Sequence, residues 1–129
     1  VGVVELLQDS IYVVHVEASE LTGVGFTQRE PIASFLNGVK IWGVYRMLCS
    51  DSTALKIAKK ADAYCERNAP FDLDFDTLND SAVYCTELVA LAINQAVDSA
   101  FIVPSMTVGQ KVCYSLDDIY KARGMSKIY

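Results

Sequence analysis

Three side chains in this sequence have the types that acyl-transfer chemistry needs: the thiol of Cys85, the imidazole of His15 and the carboxylate of Glu17. Cys85 stands immediately before "TELVALAINQAV", residues 86–97, which reads as a helix. Unsatisfied N–H groups and the helix dipole at such a position favour the thiolate, which is the attacking species. The same N–H groups can hold an oxyanion. A free cysteine is also one of the most readily buried residues, so position alone leaves packing and nucleophile both open.

His15 is the only histidine, and it lies two residues before Glu17. In a strand both would project from one face. A thiol hydrolase needs an imidazole base and a third group to orient it, which makes Cys85, His15 and Glu17 a candidate triad. Against this, strand residues two apart stand roughly 7 Å apart and project in parallel, a poor geometry for an orienting hydrogen bond. The plainer reading of His15 is a polar residue on a half-buried strand. "DLDFD" at 72–76 spaces three aspartates like the start of a calcium loop, but Thr77 replaces the turn glycine and Val83 the closing acid. Calcium is rejected, and the aspartates read as turn caps or as charges that tune the surroundings of Cys85. Cys49, Cys65, Cys85 and Cys113 form no CxxC pair, so neither a zinc site nor a disulfide framework is expected, and no cofactor is called for.

The elements that must position these groups are legible from periodicity. Val1–Leu7 and Ile11–Val16 read as strands around a Gln8-Asp9-Ser10 turn. A short strand follows, then a helix with Thr27 as N-cap, Pro31 in its first turn and Gly38 at its stop. Residues 39–48 read as a third strong strand. Asp51 or Ser52 opens a helix to about Arg67, with Leu55, Ala58, Ala61, Tyr64 and Cys65 along one side. A loop rich in Pro, Asn and Asp leads to the helix Thr86–Val97, which is apolar around most of its circumference and therefore expected to be buried. A strand, a short helix capped by Ser115 or Asp117, and a terminal "KIY" close the chain. With 129 residues and no repeat or linker, this is one α+β domain spanning 1–129.

The bulk numbers exclude some partners. A net charge of −5, with no basic cluster beyond "KIAKK" at 56–60, argues against nucleic acid. The same charge disfavours an anionic membrane surface. No apolar run reaches the roughly 18 residues of a spanning helix, so no transmembrane segment is expected. The compartment and the oligomeric state stay open.

Several stretches together resemble the permuted, NlpC-type papain-like cysteine hydrolases of the YiiX/YebB-like branch. "YCTELV" at 84–89 resembles the nucleophile motif Tyr-Cys-Ser-Glu-Leu-Val, with Thr86 for Ser. "FDLDF" at 71–75 resembles the segment that precedes it, "VEA" at 16–18 the strand end that carries the third catalytic acid, and "YSLDDIYKARGMSKIY" the closing strand and helix. The resemblance implies a circularly permuted papain-like fold, with an antiparallel sheet packed against a buried helix that starts at the nucleophile. It implies a hydrolase or acyltransferase acting on an amide, ester or thioester of a cell-wall peptide or a lipid-linked acyl group, in the cell envelope of a bacterium. Cys85 would be the nucleophile and Glu17 the orienting acid, with the Cys85 N–H and the Tyr84 hydroxyl at the oxyanion. The family's base histidine opens a strand reading His-Val-Gly-Ile-Val, and this sequence begins "VGVV". The match therefore expects the base directly before Val1, in a chain that begins just after it, and demotes His15. A domain of the same fold that has lost catalysis and serves for binding is the alternative, and a plain structural domain with Cys85 in its core is the other.

Overall fold

The computed structural model describes residues 1–129. Hydrophobic alternation and a tight turn build the first hairpin, in which β1 (Val3–Leu7) pairs antiparallel with β2 (Ser10–Val16). Gln8 and Asp9 carry it, both at positive φ (48° and 65°), so the turn's twist matches that of the strands. β3 (Thr27–Pro31) pairs antiparallel with the other side of β2, which gives the sheet order β1-β2-β3. The short α1 (Ile32–Phe35) follows directly. Two further antiparallel pairs lie outside this sheet: β4 (Tyr45–Met47) with β7 (Met125–Lys127), and β5 (Met106–Val108) with β6 (Lys111–Cys113).

Two helices cover one face of the main sheet. α2 (Asp51–Glu66) is capped by Ser50, whose hydroxyl accepts from the Thr53 N–H at 3.2 Å, and it buries Ile57, Ala58, Ala61 and Tyr64. α3 (Cys85–Val97) buries Leu88, Val89, Ala90, Ala92 and Ile93. Both pack with Val3, Val14 and Val16 of the sheet in one core. The last helix, α4 (Leu116–Tyr120), is capped by Ser115, which accepts from the Asp118 N–H at 3.1 Å. The chain is thus a small α+β domain in which the helix that begins at Cys85 lies against an antiparallel sheet.

Two expected elements differ. Thr27 opens a strand and caps no helix, because residues 27–31 find a partner in β2, and its hydroxyl donates instead to the Ala69 carbonyl at 2.9 Å. The strand expected over 39–48 shrinks to Tyr45–Met47, since only those residues meet a partner strand, and Ile41 is left 91% exposed.

Candidate active site

The turn into α3 is tied down on both sides. Val83 donates its N–H to the Pro70 carbonyl at 2.9 Å, and its own carbonyl accepts from Asp72 N–H at 3.1 Å. Asp72 is buried, and its two carboxylate oxygens accept the Asp74 and Asp76 N–H groups at 2.9 and 2.7 Å, which closes the acidic loop as a set of turn caps. Tyr84 then takes an extended conformation (φ −92°, ψ 167°) and Cys85 is the first helical residue. The Cys85 thiol is unpaired and half-buried, whereas Cys113 is fully buried. The N–H groups of Cys85 and Thr86 open the helix and have no acceptor within it.

The residues on either side of Cys85 both grip the backbone of one residue, Tyr114. The Tyr84 hydroxyl accepts the Tyr114 N–H at 2.8 Å, and the Thr86 hydroxyl donates to the Tyr114 carbonyl at 2.7 Å. Thr77 completes the arrangement. Its hydroxyl donates to the Val112 carbonyl at 2.9 Å, so in its 3.1 Å contact with the Tyr84 oxygen it must accept. The Tyr84 hydroxyl therefore has its donor and an acceptor position filled, lies only 1% exposed, and is pushed up to about 12 by burial. It points into the fold.

Glu87 was not singled out from the sequence, yet it is the most unusual group near the thiol. It is fully buried, one oxygen accepts the Tyr84 N–H at 3.2 Å, and the other has no hydrogen-bond partner. Burial, reinforced by the charges of Asp72, Asp80 and Asp76, raises its carboxyl to about 8. An acid three residues after a helix cap is a legible signal, but a tyrosine at the cap position hides it.

Glu17 lies just past the end of β2, exposed, beside an open cleft of about 670 Å³ lined by Ala18, Phe26, Gln28 and Asn68 among others. Strict alternation would send Glu17 to the sheet face that carries Val13 and His15, away from α3. The Glu17 carbonyl oxygen packs so closely on Gly25 that a Cβ there would stand 1.7 Å from it, so only glycine fits. Cys85 does not line the cleft, and no hydrogen bond joins it to Glu17.

His15 is placed elsewhere. It is 2% exposed, its ring meets Phe35 of α1 edge-on at 4.8 Å, and its Nε2 lies 2.6 Å from a Glu30 oxygen, off the line of an N–H hydrogen bond. It touches nothing at the Cys85 turn. The pairing of β1 with β2 ends at Val3 and Val14, and ahead of it Gly2 lies close against Val13, Val14 and His15.

No group of three or more His, Cys, Asp or Glu side chains is placed to hold a metal ion, and no helix is long and apolar enough to cross a membrane. Neither a protein-family model nor a curated protein matches the sequence. Among solved structures, the chain is similar to the metalloprotein yiiX from Escherichia coli O157:H7 (DUF1105), with a TM-score of 0.79 over 99% of this chain and 80% of that one, at 14% identity. The metal that name carries does not fit the residues present here. At that identity the likeness speaks for the backbone alone, and it does so over nearly the whole chain: this protein has the YiiX-like fold.

Proposed function

We propose that this domain is a permuted papain-like thiol hydrolase or acyltransferase in which Cys85 attacks the carbonyl of an amide, ester or thioester. The observation that carries the reading is a half-open thiol at the first residue of a buried helix, within a YiiX-like fold. A thiolate there is favoured by the helix N-terminus, and the tetrahedral oxyanion formed on attack is within reach of the Cys85 N–H. In this reading the base is the histidine that the family resemblance expects directly ahead of Val1. It takes the thiol proton and returns it to the leaving amine, alcohol or thiol, while the Glu17 carboxylate fixes its tautomer.

In this reading the oxyanion is held by backbone N–H groups, and Tyr84, with its hydroxyl already engaged, supports the turn. The substrate is a peptide or an acyl ester that reaches the exposed side of the α3 turn.

Iodoacetamide labelling of the folded protein, followed by peptide mapping, tests the assignment of the thiol. Cys85 should label fastest, Cys49 and Cys65 (both half-buried) more slowly, and the buried Cys113 slowest. Faster labelling of Cys49 or Cys65 would count against a nucleophilic Cys85.

A further inference from the structure

Glu87 belongs to the helix that begins at Cys85, and its surroundings are those of an uncharged acid. The side chain is wholly buried, and one oxygen has no partner. The charged groups acting on it are Asp72, Asp76 and Asp80 of the loop ahead of α3, all acidic, and the polar side chains near it are the phenols of Tyr84 and Tyr114. An ionised carboxylate in that place would be both desolvated and repelled, and a proton on the unpartnered oxygen relieves both at the smaller cost of a buried O–H without an acceptor. The remaining oxygen still accepts the N–H of Tyr84, the residue immediately before the nucleophile.

We propose that Glu87 is a positioning residue for Cys85 that works un-ionised: a proton on its buried carboxyl locks the start of the nucleophile helix, and loss of that proton loosens it. This rests on the reading of Cys85 as nucleophile for its functional meaning, while the lock itself is a property of the folded chain. Its direction with pH follows from linkage. The folded-state value of about 8 lies above the ordinary 4.5, so the stabilisation is complete below about 4.5 and is lost as pH rises toward 8. Beyond that the group's contribution is level. The full difference corresponds to a change of roughly 10³-fold in the unfolding equilibrium. Above the same pH an anion two residues from Cys85 also disfavours the thiolate.

Glu87→Gln keeps an acceptor for the Tyr84 N–H and cannot ionise. The experiment compares Tm and Cys85 alkylation for the two proteins from about pH 5 to about pH 9, with Cys49 as the internal reference. The wild-type Tm should fall relative to that of Glu87→Gln as pH rises to about 8 and then run parallel to it. Cys85 should alkylate at equal rates in both at the acid end and more slowly in the wild type at the alkaline end, with Cys49 unchanged. A purely structural role would shift Tm without moving the Cys85-to-Cys49 ratio. Parallel Tm curves throughout, or a constant ratio, would overturn the proposal. If Glu87→Gln does not fold, a carboxyl-carbon NMR titration of the wild type decides: a Glu87 that titrates in the ordinary carboxylate range refutes the lock. A domain in which the lock is present but no acyl transfer occurs would instead refute the hydrolase reading alone.

Discussion

Tyr84→Phe separates a strut from a catalytic hydroxyl. The substitution keeps the ring, which packs against Phe75 with centroids 5.0 Å apart, and removes one oxygen from a site only 1% exposed. That oxygen accepts from the Tyr114 N–H at 2.8 Å and donates to Thr77 at 3.1 Å. Each bond contributes about 1 kcal/mol net, and leaving the buried Tyr114 N–H without an acceptor adds a desolvation cost of about 1–3 kcal/mol that partly overlaps. The expected loss is therefore about 3 kcal/mol, a large share of the roughly 5–15 kcal/mol that holds a domain folded. Urea unfolding reads it as a lower midpoint with an unchanged m-value. Thr77→Val in the same background should show coupling, since the two side chains share a bond. A loss below about 0.5 kcal/mol would refute the strut. A loss of turnover at unchanged stability would return the Tyr84 hydroxyl to the oxyanion.

Two other substitutions probe how Glu17 is placed. Gly25→Ala puts a methyl group onto the Glu17 carbonyl, where backbone must move, and should destabilise the fold by about 2 kcal/mol or more; an unchanged urea midpoint would mean that Gly25 and Glu17 do not pack as described. In a protein carrying a histidine directly ahead of Val1, Glu17→Gln should lower kcat/KM by roughly 10²-fold or more while His15→Gln leaves it near the wild-type value. The reverse order would make His15 the base.

Helices α2, α3 and α4 and the first hairpin are legible because their signals are local: polar residues at 51–52, Ser115 ahead of the last helix, Gln8-Asp9-Ser10 between β-rich runs, and a near-continuous apolar run after Cys85, although the cap of α2 proves to be Ser50. What the sequence hid depends on partners distant in the chain. Thr27 with Pro31 four residues on looks like a helix start, and only the neighbouring β2 makes it a strand. Residues 39–48 have strand-forming side chains, but a strand needs a ladder, and β7 reaches three of them. The pairing of Tyr84 and Thr86 with the backbone N–H and carbonyl of Tyr114 joins residues about thirty positions apart and has no local sign.

The position of Cys85 is legible from type and place, since a cysteine ahead of a buried helix is visible in one dimension. Glu17 and His15 are harder, because period-two alternation puts them on one face. The structure instead buries His15 against Phe35 and leaves Glu17 exposed past the end of β2, its carbonyl packed on Gly25. Glu87 stands in the quoted motif, but its burial and its unpartnered oxygen are properties of the packed core alone.

The central claim is that Cys85 forms a covalent acyl intermediate. The direct measurement is intact-mass and peptide-mapping analysis of the protein with a histidine ahead of Val1, acid-quenched during turnover of an activated ester or thioester. The account predicts one acyl group, mapped to Cys85 and absent from Cys85→Ser. Turnover with no acylated species, or an acyl group that maps to Cys49 or Cys65, would contradict it.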